Sequence, residues 1–387
     1  MRIGIITGEY PPMQGGVGDY TKILAHELVA RGHDVFLFTS AQCEESNPAI
    51  HIVNTVKKWR WGALRAIKKW VATNKIELIS LQFETAAYQM SPFIHFLPQM
   101  VRVPVVTTFH DLLFPYLFPK AGALRPMIVR YLARHSTGVI TTNHEDYVQL
   151  DMHPNITLIP LGNLVPADLP ADYHRPAWRG KTGASDDDFL VAYFGFLNHS
   201  KGVEILLEDL AYLRSTGYPF RLVMIGGKTG SSDPTNADYA QKIDALITQL
   251  NLDRVVTWTG FVNNEQVNAY LDASDVVCLP FRDGASYRRS SLLAAIHRGC
   301  AIITTQPQVH IQLFKDGENM LLVAPFTLDP KAPNYFHISH KLLQLYRNER
   351  LRSHLKEGAL QLAQQFDWKT IISDHESFFS HILETKR

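Results

Sequence analysis

The sequence predicts an α/β protein with two domains, each built on a parallel sheet that helices cover on both faces. Its 387 residues exceed the usual size of a single domain. Apolar residues make up 46% of the chain and charged residues 19%, a globular balance that leaves material for two cores. Short β-rich runs alternate with helix-length segments in two series, and this alternation is typical of parallel sheets.

The first series, in residues 1–165, predicts one such domain. Six β-rich runs are the predicted strands: Arg2–Thr7, Asp34–Thr39, Ile76–Gln82, Pro104–Thr108, Gly138–Thr142 and Ile156–Leu161. Because these runs are continuous and apolar rather than alternating, we expect central strands of a doubly wound, Rossmann-like sheet. A helix from Asp19 carries an apolar stripe at spacings of three and four residues, and Gly32 ends it.

The second series follows a segment without periodicity, residues 166–188, whose prolines and Asp186–Asp188 run predict a linker. Residues 189–365 predict a second Rossmann-like domain, so that two halves would face each other across a cleft. Its predicted strands are Phe189–Phe194, Arg221–Ile225, Val255–Thr259, Val276–Leu279 and Ala301–Thr305. The chain is then predicted to be helical from about Tyr335 to Ala363, with a final amphipathic helix in residues 366–387.

Composition and charge exclude several classes of protein. With 38 Lys and Arg against 37 Asp and Glu, the net charge of +1 lacks the uniform basic field of a non-specific nucleic-acid binder. Three scattered cysteines, Cys43, Cys278 and Cys300, are too few for a disulfide framework or a Cys-rich zinc site. The N-terminus runs straight into a strand without a secretory signal, and no stretch approaches the length of an apolar membrane span. We therefore expect a cytoplasmic protein with no nucleic-acid partner.

A glycine-rich loop joins the first strand to the first helix. Gly15, Gly16 and Gly18 let backbone amides approach a ligand, and the helix N-terminus favours an anion. A dinucleotide fingerprint would need a third glycine at Thr21 and an acidic residue after the second strand, and both are absent. NAD is therefore not expected. The alternative interpretation is a turn that only starts the helix.

Other candidate residues follow strands, at the edge where α/β sheets bind ligands. His110, beside Asp111, can orient a sugar hydroxyl or share a proton with it. Lys201 begins a helix, where its charge adds to the helix dipole and suits a phosphate. Arg288 and Arg289 precede another helix and suit a diphosphate. The alternatives are a structural histidine, a solvated lysine and an exposed turn.

The order of several motifs resembles the GT-B glycosyltransferases, in particular the retaining, metal-independent nucleotide-sugar transferases of glycosyltransferase family 4. The motifs are Glu9–Gly18, Phe109–Asp111, Lys201–Val203, Thr259–Val262, Asp275–Pro280, Asp316–Asn319, Leu321–Val323 and Phe366–Trp368. They cover nearly the whole chain. In such enzymes the closing helix returns to the first domain.

The resemblance implies transfer of a sugar from a UDP- or GDP-sugar donor to a hydroxyl of a glycan or lipid-linked acceptor, in polysaccharide or glycoconjugate biosynthesis. It implies no metal ion and no further cofactor. The nucleobase would lie along the segment that contains Phe261 and Val262, and His110 would touch the transferred sugar. The loop Gly15–Gly18 would meet the diphosphate or the acceptor, and Lys201 would stabilise the leaving diphosphate.

The chain departs from the family pattern at three polar positions. The usual pair of glutamates, eight residues apart, falls at Ser286 and Ala294, and the usual phosphate-binding arginine falls at Phe196. We expect Arg288 and Arg289 to replace that lost charge, because they lie in the loop that normally faces the donor diphosphate. Ser286 retains a hydroxyl that can hydrogen-bond a sugar.

A basic segment, residues 57–70, bears on the acceptor and on localisation. Six cations surround three tryptophans: Lys57, Lys58, Arg60, Arg65, Lys68 and Lys69 around Trp59, Trp61 and Trp70. A helix here is expected to bury Trp61, Leu64, Ile67 and Val71 and to leave the cations outward. This pattern suits peripheral contact with an anionic membrane at the inner face. An aromatic run would favour a lipid-linked acceptor: Phe114, Tyr116 and Phe118. The alternative is an ordinary helix that covers the sheet.

Two other functions stay open. The lost polar positions Phe196, Ser286 and Ala294 are also what a catalytically degenerate scaffold or binding subunit would show. An epimerase or phosphorylase on the same GT-B framework would act without an added acceptor. Donor turnover distinguishes the first alternative, and the need for an acceptor distinguishes the second.

Overall fold

The computed structural model describes residues 1–13, 15–112, 125–165, 168–228, 235–325 and 337–385. The chain divides into two compact units. Unit 1 comprises Met1–Leu164 together with Asp367–Arg387, and unit 2 comprises Val165–Phe366. The aromatic run at residues 114–118, for which a lipid-linked acceptor was expected, lies outside the described residues.

Among the described residues of unit 1, seven parallel strands form one sheet. They are β1 (Arg2–Thr7), β2 (Asp34–Ser40), β3 (Ile50–Val56), β4 (Leu78–Phe83), β5 (Val105–Phe109), β6 (Gly138–Thr141) and β7 (Ile156–Leu158). Their order is β3-β2-β1-β4-β5-β6-β7. The helices are α1 (Gly16–Ala30), α2 (Trp61–Thr73), α3 (Leu97–Met100), α4 (Arg125–His135) and α5 (His144–Leu150).

All six strands predicted for this unit are confirmed within a few residues, and β3 is an addition. β3 was not predicted because it lies at the edge of the sheet, where exposed His51 and Thr55 interrupt the apolar run. The helix predicted from Asp19 begins three residues earlier, at Gly16. Gly16 and Gly18 therefore belong to its first turn.

The burial pattern of α2 corrects one prediction. Leu64, Ile67 and Val71 are buried as expected, but Trp61 is 44% exposed. Trp61 is the first residue of the helix, and its ring packs against the ring of Phe93, with 5.2 Å between centroids. Trp70 is buried instead, and the six cations of residues 57–69 are all exposed.

Among its described residues, unit 2 contains a six-stranded parallel sheet of order β10-β9-β8-β11-β12-β13. The strands are β8 (Phe189–Phe194), β9 (Phe220–Ile225), β10 (Val256–Trp258), β11 (Val276–Leu279), β12 (Ile302–Thr305) and β13 (Leu321–Val323). The helices are α6 (Arg175–Lys181), α7 (Val203–Ser215), α8 (Thr235–Gln249), α9 (Asn264–Ala273), α10 (Ser290–His297), α11 (His337–Arg347) and α12 (Glu349–Ala363). Five of these strands were predicted, and the three-residue edge strand β13 was not.

The predicted linker, residues 166–188, contains α6 and is part of unit 2. Trp178 is buried against Tyr270 of α9, with 4.8 Å between ring centroids. Arg179 is also buried, and it binds Asp275 with an N–O distance of 2.9 Å. This helix spans only two turns, so its apolar period was too short to recognise beside the prolines and glycines around it.

The C-terminal helical region also differs from the prediction. The stretch predicted to be helical from about Tyr335 is two helices, and Asn348 caps the second by accepting a hydrogen bond of 3.0 Å from the Leu351 N–H. The last helix, α13 (Trp368–Thr385), packs on the unit 1 core through buried apolar residues: Ile371, Ile372, Phe379 and Ile382. No helix in the described part of the chain is both long and apolar enough to cross a membrane.

Candidate functional site

The clearest candidate site lies in unit 2, where the direction of the strand order reverses between β8 and β11. In open α/β sheets, ligands bind at the carboxyl ends of strands at such a switch point. The loops after these two strands touch, because the Arg282 N–H donates to the Ser200 carbonyl at 2.9 Å. Gly202 permits this approach: its φ is 64°, and a Cβ there would overlap the Pro280 carbonyl. The two loops therefore form one continuous surface.

Two of the predicted cations come together on this surface. The Lys201 Nζ lies 5.1 Å from the centroid of the Phe281 ring, and the Arg289 guanidinium carbon lies 4.7 Å from the same centroid. Arg289 also forms an ion pair with Asp283. The nearby Arg282 is held by the Glu204 carboxylate. The side chains of Lys201 and Arg289 are therefore both placed at the Phe281 ring.

Helix α10 begins beside these cations. A Cβ built on Gly195, after β8, would lie 3.8 Å from the Lys201 Nζ and 3.9 Å from the Ser291 Oγ in the first turn of α10. The Ser291 Oγ is buried and has no hydrogen-bond partner among the described residues. A helix N-terminus, an unpaired hydroxyl and two cations are a set of groups that can hold a phosphate.

Burial and, to a smaller extent, the positive charge of Arg289 lower the pKa of Lys201 from 10.5 to about 7, and the Asp283 carboxylate partly opposes this shift. An anion bound beside the ammonium would restore the charged form. Binding of an anion and protonation of Lys201 therefore favour each other.

The remaining residues predicted on this side lie around the same edge. Ser286 is buried, and its hydroxyl accepts a hydrogen bond of 3.4 Å from the Arg288 N–H, which makes it part of the loop. Ala294, where the family resemblance places the second glutamate, is buried in α10. Phe261 is 86% exposed, and its neighbour Val262 is half-buried. The structure therefore brings an aromatic face to the carboxyl edge of the sheet.

In unit 1, a carboxylate of the protein itself occupies the glycine-rich loop, which the sequence pattern did not predict. The Glu9 carboxylate accepts hydrogen bonds of 3.1 Å from the N–H groups of both Val17 and Gly18. A Cβ on Gly15 would overlap this carboxylate. The anion at the N-terminus of α1 is therefore the chain's own glutamate, and these two amides are engaged within the protein. An acidic residue two positions after the first strand was the signal in the sequence.

His110 follows β5 and is almost fully buried. Its Nε2 lies 2.9 Å from the Gln82 Oε1, and the Tyr20 ring packs edge-on against it at 4.9 Å between centroids. Burial and, to a smaller extent, the nearby His375 lower the pKa of His110 to about 3. The imidazole is therefore neutral at physiological pH. Gln82 was not singled out from the sequence, because a polar residue inside a β-run carries no local signal.

No group of three or more His, Cys, Asp or Glu residues in the described ranges is arranged to hold a metal ion. The arrangement in unit 2 can stabilise a diphosphate through Lys201, Arg289 and the first turn of α10.

Two family models match the chain. Residues 15–162 match the "Glycosyl transferase 4-like domain", and residues 174–361 match "Glycosyl transferases group 1". The two matches do not overlap, and each falls within one unit of the structure.

Two curated relatives are 22% and 23% identical to this chain over the aligned residues. The α-monoglucosyldiacylglycerol synthase of Streptococcus pneumoniae is 22% identical over 71% of this chain and 65% of its own length, just under two thirds of that enzyme. A D-inositol 3-phosphate glycosyltransferase of Arthrobacter is 23% identical over 92% of this chain and 87% of its own.

Solved structures agree on the fold. A sucrose-phosphate synthase from Thermosynechococcus elongatus superposes with a TM-score of 0.75 at 18% identity, covering 99% of both chains. Anabaena Alr3699/HepE, in complex with UDP and glucose, also has a TM-score of 0.75 at 16% identity, over 98% of this chain and all of its own.

Proposed function

The chain belongs to the group 1 glycosyl transferases of the GT-B fold, and from this premise we propose that it transfers a sugar from a UDP- or GDP-sugar to a hydroxyl acceptor with retention of anomeric configuration and without a metal ion. The observation that carries the proposal is the phosphate-compatible cluster of Lys201, Arg289 and Ser291 at the switch point of unit 2. The relative solved with UDP and glucose makes UDP-glucose the first donor to test.

In this proposal, the protein's own cations stabilise the negative charge that develops on the leaving diphosphate. When the bond between the sugar and the diphosphate breaks, the leaving diphosphate gains one negative charge. Lys201 and Arg289 are already in place beside the first turn of α10, so this charge meets fixed positive groups rather than mobile water. Their common contact with the Phe281 ring holds both in position before the donor arrives.

The residues at positions 196, 286 and 294 are those at which we expect this chain to depart from the family pattern. No carboxylate stands at positions 286 or 294, so the two adjacent arginines face less negative charge than the family pattern would give. We expect Arg288→Ala or Arg289→Ala to weaken nucleoside-diphosphate affinity by about 1–3 kcal/mol, the range of a hydrogen bond to a charged group. Arg347→Ala is the matched control, because Arg347 also lies over an aromatic ring, Tyr218, ahead of β9 at the opposite edge of the sheet.

The test is calorimetric titration of the full chain with UDP, GDP, ADP, CDP and dTDP, with Mg²⁺ or with EDTA. We expect one diphosphate to bind equally in both conditions, and the two arginine variants to bind it more weakly than the control variant. Binding that requires Mg²⁺ would contradict metal independence. No binding of any of the five, by a folded protein, would favour the degenerate scaffold.

Retention and acceptor dependence have their own test. With UDP-glucose or GDP-mannose as donor, the one-bond carbon–proton coupling at the anomeric centre of the product reports whether the α configuration of the donor is kept. A β-linked product would refute retention. Turnover of donor to an isomer without any acceptor would favour the epimerase alternative, and phosphate-dependent release of a sugar phosphate would favour the phosphorylase.

A lipid-linked acceptor is proposed from the surface of α2. The six cations of residues 57–69 are exposed, and none forms an ion pair among the described residues. Exposed Trp61 lies among them. We expect the protein to float with vesicles of anionic phospholipid at low salt, and a variant with Lys68 and Lys69 changed to Glu to float less. No co-migration of the unaltered protein at low salt would refute membrane contact.

A further inference from the structure

The buried polar groups around His110 determine which of its nitrogens carries the proton. The Gln82 amide nitrogen lies 2.8 Å from the Ser80 hydroxyl, to which it donates a hydrogen bond. The amide oxygen of Gln82 therefore faces the His110 Nε2, 2.9 Å away. A carbonyl oxygen can only accept, so the proton of the neutral ring must lie on Nε2. Gln82 thus selects one tautomer.

The other ring nitrogen of His110 is open. The Nδ1 atom has no hydrogen-bond partner among the described residues, and it is not one of the fully buried polar atoms. In the tautomer that Gln82 selects, Nδ1 carries a lone pair and no proton. It can therefore accept a hydrogen bond from a hydroxyl and cannot donate one.

A second histidine holds this arrangement in place. The His375 Nδ1–H donates to the Ile371 carbonyl at 2.8 Å, so the His375 Nε2 accepts the Tyr20 hydroxyl at 3.1 Å. This bond orients the Tyr20 ring, whose edge packs on the His110 ring at an interplanar angle of 76°. The His110 ring is thus confined on one side by an aromatic edge and at Nε2 by an amide.

We propose that Gln82 is a positioning residue: it fixes His110 as a hydrogen-bond acceptor, through Nδ1, for a sugar hydroxyl of the substrate. The inference rests on the proposed function, and it restricts the substrate. A sugar that presents a hydroxyl to this nitrogen gains a hydrogen bond. A deoxy sugar or an O-methylated sugar at that position gains none.

The first experiment reads the tautomer directly. In protein labelled with ¹⁵N-histidine, two-bond proton–nitrogen correlation spectra distinguish the Nε2–H form from the Nδ1–H form without any ligand. We expect His110 to be neutral and protonated on Nε2. Gln82→Leu should produce a mixture of tautomers, whereas Gln82→Glu, which still accepts at that point, should keep the Nε2 proton. Gln99→Leu, which removes a surface amide bound to Tyr131, is the matched control and should change nothing.

The second experiment measures what the sugar adds to binding. Titration with UDP and with UDP-glucose gives the ratio of the two affinities, and GDP with GDP-mannose gives the same ratio for the other base. We expect Gln82→Leu to reduce the sugar's contribution about five- to ten-fold, the scale of one hydrogen bond, and to leave the affinity for the nucleotide alone unchanged. Gln82→Glu should retain at least part of the sugar's contribution to binding.

The outcomes separate the two proposals. An Nδ1–H tautomer of His110 in the unaltered protein would overturn the role of Gln82, whatever the protein binds. If Gln82→Leu folds and changes neither the tautomer nor the sugar's contribution, the role is also overturned. Failure of all nucleotides to bind would refute the proposed function, and the tautomer measurement would still decide what Gln82 does. Should Gln82→Leu not fold, the unaltered protein and Gln82→Glu supply the decisive spectra.

Discussion

Lys201 is expected to couple nucleotide-sugar binding to pH in the neutral range. Burial and Arg289 lower its pKa from 10.5 to about 7, so at neutral pH only about half of the free protein carries this charge. Under the proposed function, a diphosphate binds the protonated form, since the ammonium is the group expected to face it. The affinity should therefore be full below about pH 6 and decline as pH rises through 7.

The size of the effect follows from the protonated fraction. A group of pKa about 7 is about 90% protonated at pH 6 and about 3% protonated at pH 8.5. If the bound state keeps Lys201 protonated, affinity falls about 30-fold between these values, or about 2 kcal/mol. Nucleotide sugars suit this assay because their diphosphate has no proton to lose in this interval.

Isothermal titration with UDP-glucose and GDP-mannose across this range measures the prediction. Lys201→Met should lower affinity at about pH 6 and abolish the pH dependence. Lys315→Met is the control, because Lys315 is an exposed lysine paired with Glu318, and it should leave both unchanged. Affinity of the unaltered protein that is constant from pH 6 to 8.5, or a Lys201→Met profile that still declines, would refute the reasoning.

The same pKa has a consequence for folding. Because the folded-state pKa lies below the unfolded value, the unfolded chain binds more protons between pH 7 and 10.5, and this lysine's contribution to stability rises with pH across that window. Below pH 7 the lysine is charged in the folded protein as well, and the cost of burying this charge lowers the free energy of unfolding. Lys201→Met should therefore raise the free energy of unfolding at about pH 6, by roughly 2 kcal/mol after allowance for residual solvent contact. Urea unfolding measures this, and a loss of stability at pH 6 would contradict it.

Three further predictions concern other parts of the structure. Gly15→Ala should lower the free energy of unfolding by about 1–3 kcal/mol, because a Cβ there would overlap the Glu9 carboxylate, whereas Gly16→Ala, with open space around it, should be neutral. Equal effects in urea unfolding would argue against that packing. Gly202→Ala should weaken UDP-glucose or GDP-mannose binding about ten-fold or more, since its positive φ and its close backbone contact place the Lys201 loop, and unchanged titrations would refute this. Burial raises the pKa of Asp209 from 3.8 to about 7, so its contribution to stability falls as pH rises between these values. Asp209→Asn should therefore stabilise the protein by about 1–3 kcal/mol at pH 8 and not at pH 4, as compared by thermal unfolding.

Much of the fold was readable from the sequence because central parallel strands have a strong local pattern. β1, β8 and β11 are short, continuous apolar runs, and the structure places each within the bounds predicted. Two strands were missed for different reasons: in the edge strand β3, exposed polar residues interrupt the apolar run, whereas β13 is apolar but has only three residues. The short helix α6 was missed because two turns are too few to show a helical period.

For the candidate site too, local sequence pattern indicated some features, and only the fold decided the others. The residue types and their positions after strands are sufficient to indicate Lys201 and Arg289 as anion-binding candidates. That the two loops are neighbours depends on the order of β8 and β11 in the sheet, and crossover connections set that order over about eighty residues of chain. The sequence by itself determined which elements form and which side chains stand at their ends, because these are local properties of pattern and propensity. Only the tertiary structure decided that Gln82 faces His110 and that burial lowers the Lys201 pKa, because each depends on contacts between segments far apart in the chain.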